Sequence, residues 1–395
     1  MRIAYLAHYI GTEFTNRYCQ GKQYALSGPF KTRGIARALL SAGHEVTIFS
    51  PGLTVADQII KPFSEVEEYP EGILRIEYGK CFSYPKCSPI NGWIISRKLR
   101  REAKKFDAFI YYNVTLSAAL TISAFKDAVR IIEYEDNVFN KALVGDRNSW
   151  ESFKRLLFNH LIAKTDGVIA VCLGLQLKDT LKHSVLTPGI IDEDVINNVS
   201  SRVNKLVEGN SVHIVLTGGI HYSKGGDLLV KAMSYIATPC KVSVYGNCSL
   251  DTNLQELIKR VPDRHLFQFN GYMPHEELIK VLNQGADILI NTTRSMGVGA
   301  QAAGFPFKMM EYASTGRPIV SSEIGKLDED FNHHITYYNG EDPKDIANAI
   351  EEVINHYDEK VRLALDLQKR VLNEYTISGT GRKLDMFLKE IIKNQ

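Results

Sequence analysis

Phe305-Pro306-Phe307-Lys308-Met309-Met310-Glu311-Tyr312-Ala313-Ser314-Thr315-Gly316-Arg317-Pro318-Ile319-Val320-Ser321-Ser322 reads as a loop, a short helix, a glycine stop and a buried strand. Met309, Met310 and Ala313 supply the apolar side of the helix. Gly316 is suited to the left-handed conformation that ends a helix, and Pro318 cannot continue one. Ile319 and Val320 then open a strand. One carboxylate, Glu311, sits inside this unit, and Lys308 three residues earlier shares its helical face. The pattern also fits the loop-helix-strand of any α/β protein with a surface Lys/Glu pair, so both readings stand at this level.

Outward from this run, strand and helix patterns alternate. Arg2–His8, Glu45–Phe49, Ala108–Tyr112, Val129–Tyr134 and Gly167–Val171 read as strands, with a loop and helix from Gly28 to Ala42 after the first. Residues 192–210 break the pattern with Asn197-Asn198, Ser200-Ser201 and Gly209-Asn210 and read as a linker or a loosely packed helix. The alternation restarts with strands at Val212–Leu216, Lys241–Tyr245, Leu266–Phe269, Asp287–Asn291 and Pro318–Val320, and a helix from Gly226 to Ile236. The reading is α/β, with two Rossmann-like doubly wound domains at 1–191 and 211–375. Ligands of such sheets sit beyond the carboxyl ends of the strands. The final helical segment, Arg382–Lys393, lines Leu384, Phe387, Leu388, Ile391 and Ile392 along one face.

The 395 residues suffice for two cores. A net charge of +2, with 44% hydrophobic and 23% charged residues, points away from nucleic acid as the main partner. No apolar stretch reaches the ~18–20 residues needed to span a bilayer, and the N-terminal apolar run is too short for a signal peptide. The six cysteines lack CxxC spacing, so neither a zinc site nor a disulfide framework is expected, and a reducing, cytoplasmic location is the simplest expected setting.

Three further segments carry candidate chemistry. Thr217-Gly218-Gly219-Ile220-His221-Tyr222-Ser223-Lys224-Gly225-Gly226-Asp227 joins a strand to a helix. Its glycines let backbone approach a phosphate and Lys224 adds a point charge, although an ordinary Gly-rich turn looks the same. Glu133-Tyr134-Glu135-Asp136-Asn137 ends a strand with three carboxylates, which are costly unless solvated or used. Glu135 or Asp136 is a candidate general base; alternatively Asp136 or Asn137 caps a following helix. Ser96–Lys105 is strongly basic and follows Trp93-Ile94-Ile95. It fits either a peripheral contact with anionic lipid through 93–105 or a solvated helix face.

The 305–322 run resembles the donor-site signature of GT-B glycosyltransferases of the GT4-like retaining type (glycosyl transferases group 1). In order and spacing, Gly34–Thr47, Leu186–Ile190 and Asn270–Leu278 also resemble segments of that family. The resemblance implies two domains facing across a cleft, with the C-terminal helix, 376–395, packing back on the first. It implies a nucleotide diphosphate sugar as donor, bound by the second domain. Gly218, Lys224 and Lys308 would meet the diphosphate, Glu311 the ribose, and Tyr272 and Met273 the base. From the first domain, Gly28 would approach the diphosphate, Glu135 would stand near a usual His position, and a carbohydrate or lipid-linked sugar acceptor would bind. Domain closure would exclude water. The family needs no metal and transfers with retention through front-face attack. Its usual setting implies surface polysaccharide or glycolipid assembly at the inner face of the membrane. Two departures stand out: Gly219 occupies the place of an Arg, for which Lys308 or Arg294 would substitute, and Ala303 the place of an earlier Glu. They leave room for a GT-B nucleotide-sugar epimerase or a non-catalytic nucleotide-sugar-binding partner.

Overall fold

The computed structural model describes residues 1–19, 27–52, 59–82, 87–137, 148–193, 206, 211–220, 222–246, 252–294 and 304–394. The chain divides into two compact units, Met1–Ile190 with Glu374–Gln395, and Ile191–Asn373. Most of the 192–210 segment and the Gly-rich residues 297–303 lie outside the described residues.

The first unit runs β1 (Arg2–Leu6), α1 (Thr12–Tyr18), α2 (Ser27–Ser41), β2 (Glu45–Ser50), β3 (Phe63–Tyr69), β4 (Gly72–Tyr78), α3 (Ser88–Glu102), β5 (Ala108–Tyr112), α4 (Leu116–Thr121), β6 (Val129–Tyr134), α5 (Asn148–Ile162), β7 (Gly167–Ala170) and β8 (His183–Leu186). The sheet order is β3-β4-β2-β1-β5-β6-β7-β8. Every pairing is parallel except β3 with β4. Central strands such as β1 and β7 are buried almost throughout, as a sheet covered on both faces demands.

The β3–β4 hairpin was not foreseen, and β3 shows why. Its inward positions are carboxylates, Glu65 and Glu67, while Val66 faces out at 52% exposure. Hydrophobic alternation therefore does not mark it. Glu67 accepts the Thr12 N–H at 2.9 Å and Glu65 the Phe14 N–H at 2.9 Å, so the two satisfy free donors at the start of α1. The hydroxyls of Tyr9 and Tyr69 also donate to Glu67.

The second unit runs β9 (Val212–Thr217), α6 (Gly226–Ala232), β10 (Cys240–Tyr245), α7 (Thr252–Ile258), β11 (Leu266–Gly271), α8 (His275–Gln284), β12 (Ile288–Asn291), α9 (Lys308–Ala313), β13 (Ile319–Ser322), α10 (Glu329–His333), β14 (Thr336–Tyr338), α11 (Pro343–Asn355) and α12 (Tyr357–Glu374). Its sheet, β11-β10-β9-β12-β13-β14, is all parallel. Leu216, Leu229, Met233, Val242, Ile290 and Ile350 belong to its core. The 305–322 run folds as read: Met309, Met310 and Ala313 are buried, Gly316 has φ +68°, and β13 follows. The helix expected to run to Ile236 stops at Ala232.

The last helix, α13 (Ile377–Lys393), belongs to the first unit and starts five residues before the expected Arg382. Thr376 caps it by accepting the Gly379 N–H at 3.2 Å. Ile377, Leu384, Phe387, Leu388 and Ile391 are buried in the first core. Gly381 lies against α2, where a Cβ would stand 2.4 Å from the Ala38 carbonyl oxygen and 2.3 Å from Ser41 Oγ. Any larger residue would force the two helices apart.

Candidate functional site

In the second sheet the chain leaves β9 for β10 on one side and later returns to β12 on the other. The carboxyl ends of β9 and β12 thus flank a topological switch point. Gly218 and Lys224 follow β9, Thr292–Arg294 follow β12, and Lys308 opens α9. The fully buried Tyr312 ties these parts together. Its hydroxyl accepts the Thr217 N–H at 2.8 Å, lies 3.0 Å from Thr217 Oγ1, and donates to the Ile290 carbonyl at 3.3 Å.

Lys224 is exposed, but its backbone is fixed. Its carbonyl accepts from Thr292 Oγ1 at 2.7 Å. Gly225 beside it has φ +66°, and a Cβ there would be 2.0 Å from the Thr292 carbonyl oxygen. Lys308 donates to the Thr217 carbonyl at 3.2 Å. Burial, and then the nearby Lys224 cation, pull its amine down to about 7 against the opposing effect of Glu311. Two amines held this close, one of them desolvated, gain from an anion between them. Gly218, Lys224, Lys308 and Glu311 are thus gathered at one strand end.

Glu311 is mostly buried and accepts from His275 Nε2 at 2.7 Å. His275 had no role in the sequence reading, and Tyr312 was equally silent. Tyr272 and Met273 occupy the turn between β11 and α8, just before His275, and Tyr272 is 75% exposed. Arg294 does not replace the missing Arg at Gly219. Its guanidinium is spent on Asp227 at 2.8 and 3.1 Å, on Glu341 at 2.9 Å and on the Tyr222 carbonyl. It also stacks 3.9 Å from the Tyr222 ring centroid. It braces the Gly-rich turn from behind.

The first unit gathers a second set at the carboxyl ends of β5 and β6. Gly28 lies inside the first turn of α2 rather than in a loop before it, and a Cβ there would stand 3.7 Å from the Tyr112 hydroxyl. That hydroxyl donates to Glu135 at 2.7 Å. The buried Lys31 pairs with Glu135 and lies 3.8 Å from Glu133. Tyr5 donates to Glu133, which is fully buried. Asn113 donates to Asp136 at 3.0 Å, and its Oδ1 accepts the N–H groups of Glu135 and Asp136 at 2.9 and 3.2 Å. Burial, then Glu135, push the Glu133 carboxyl up to about 8; the same two causes raise Asp136. Gly28, Glu135 and Asp136 therefore meet, around a lysine and an asparagine that sequence reading did not single out. Residues 138–147, where a helix capped by Asp136 or Asn137 would run, lie outside the described residues. Arg33, on the same helix as Gly28, donates to the Tyr9 hydroxyl at 3.3 Å.

On α3, Ile95 and Leu99 are buried, whereas Ile90 and Trp93 are half exposed and Arg97 lies 5.8 Å from the Trp93 ring centroid. No helix among the described residues is long and apolar enough to cross a membrane. Among the same residues, no group of three or more His, Cys, Asp or Glu is arranged to hold a metal ion.

Both units are thus doubly wound α/β sheets, and cations and one carboxylate stand at the switch point of the second. Residues 211–356 match the family model described as glycosyl transferases group 1. Among solved structures, sucrose-phosphate synthase from Thermosynechococcus elongatus aligns over 100% of both chains at TM-score 0.70 and 16% identity. HepE from Anabaena, solved in complex with UDP, aligns over 99% of this chain and 100% of its own at TM-score 0.67 and 14% identity. The lipopolysaccharide outer core galactosyltransferase WaaB aligns over 99% of each chain at TM-score 0.62 and 13% identity. A search of curated proteins finds no match by sequence.

Proposed function

We propose that this protein is a glycosyltransferase that takes its sugar from a nucleotide diphosphate sugar bound at the β9–β12 switch point and passes it, with retention, to an acceptor hydroxyl. The observation that carries the reading is the convergence of Lys224, Lys308 and Glu311 at that strand end. The two amines suit a diphosphate and stabilise it as a leaving group. Glu311, an acceptor when ionised, suits a pair of ribose hydroxyls. Gly218 leaves the backbone open to the phosphates, and Tyr272 offers an exposed ring to the base. The complex of HepE with UDP makes UDP the first nucleotide to test.

In the first unit, Glu135 and Asp136 are the groups we assign to the acceptor, with Gly28 beside them. Retention by front-face attack, with a donor phosphate oxygen taking the acceptor proton, follows the family resemblance and needs no metal. The exposed Trp93 with its basic neighbours supports peripheral contact with anionic lipid, and hence a lipid-linked acceptor in surface glycan assembly.

A thermal-shift panel of UDP, GDP, ADP, TDP and CMP, with matching sugar nucleotides, tests the donor assignment on wild type and Glu311→Ala. One nucleoside diphosphate should raise the wild-type Tm and fail to do so for the variant. An equal shift in both would remove Glu311 from the site.

A further inference from the structure

His275 is the first residue of α8, and its ring is half exposed, yet its Nε2 is committed to a carboxylate on another element. That carboxylate is Glu311, whose side chain is only 11% exposed. We propose that His275 is a positioning residue of the donor site, holding Glu311 in the orientation that accepts the ribose hydroxyls. The inference rests on the assignment of Glu311 to ribose.

A carboxylate has about four acceptor positions on its two oxygens. His275 occupies one, on Oε1, and leaves the others to a pair of hydroxyls. The restraint is needed because α9 is a single short helix and Glu311 lies one turn from the Lys308 amine. Without an opposing donor, that cation, intended for diphosphate, draws the carboxylate toward itself. His275 and Lys308 thus face Glu311 from two different elements. The hydrogen bond to Glu311 also raises the His275 pKa, against burial, and Asp192 and Glu276 add to the rise. A charged imidazole offsets the negative charge of Glu311 where an anionic ligand must approach. Nucleotide affinity therefore falls as pH climbs through the His275 pKa, which lies above the usual 6.5.

The test is calorimetric titration of the full chain with UDP, GDP and ADP, then with the 2′,3′-dideoxy form of the tightest binder. Wild type should favour the ribose form. His275→Ala should lose on the order of tenfold for the ribose form, the scale of one hydrogen bond to a charged group, and nothing for the dideoxy form. His275→Gln keeps an N–H donor without a titrating ring. It should retain near wild-type affinity at neutral pH and lose the His275 part of the pH dependence. The Lys308 contribution is common to wild type and variant and cancels in the comparison. If Glu311→Gln abolishes the ribose preference while His275→Ala matches wild type, the positioning role is wrong and the ribose assignment stands. If Glu311→Gln keeps the preference, or no nucleotide binds, the ribose assignment fails and the role of His275 with it.

Discussion

Glu133 shows what one residue costs and what it does. It is fully buried, bonded to Tyr5, and shares Lys31 with Glu135. Burial and the neighbouring Glu135 hold its carboxyl at about 8, against an ordinary 4.5. A carboxyl raised in the folded state favours folding fully below its unfolded pKa, and that contribution is lost as pH rises through the folded value. Glu133 therefore weakens the first unit progressively between about pH 4.5 and 8. Glu133→Gln keeps the shape and removes the titration. Its Tm should gain on wild type from pH 5 to pH 8, and a gap that stays constant would mean that Glu133 is already ionised at pH 5. The sequence exposed this residue as one of three carboxylates at a strand end but could not rank them. Only packing puts Glu133 inside and leaves Glu135 and Asp136 to a lysine and an asparagine.

Among elements, the β9–α6 connection and the β3–β4 hairpin teach opposite lessons. The connection was legible because glycine spacing is a local signal, and Gly225 sits where a side chain cannot. A Cβ there meets the Thr292 carbonyl at 2.0 Å with φ at +66°, so Gly225→Ala should destabilise the second unit by more than about 1 kcal/mol. It should also weaken nucleotide binding, because the same turn carries Lys224. Denaturant melts and nucleotide titrations of the variant check both effects; unchanged stability would show that the turn rearranges freely. The hairpin was not legible because its inward positions are Glu65 and Glu67. Their value depends on the N–H groups of α1, about fifty residues earlier in the chain.

Across the whole molecule, α13 returns the end of the chain to the first core. Ile377, Leu384, Phe387, Leu388 and Ile391 are all buried there. Removing residues 374–395 should leave that apolar surface bare, so the shortened chain should aggregate or lose the first unit's melting transition. Residues 191–373 form a compact unit of their own and should keep theirs. Calorimetry on the shortened chain decides it, and two intact transitions would show the helix to be dispensable. Gly381→Leu, which drives a side chain into the Ala38 carbonyl and Ser41, should lower the same transition without shortening the chain. The alternation of strands and helices and the glycine, proline and lysine positions around 217–227 and 305–322 were determined by the sequence itself. Their cause is local: backbone propensity and hydrophobic period act over a few residues. The partners of Glu311, the commitment of Arg294, the inward carboxylates of β3 and the buried Lys31–Glu133–Glu135 cluster were decided by the tertiary structure alone. Each joins residues far apart in the chain, and whether a charge is solvated, paired or desolvated depends on what folding brings beside it.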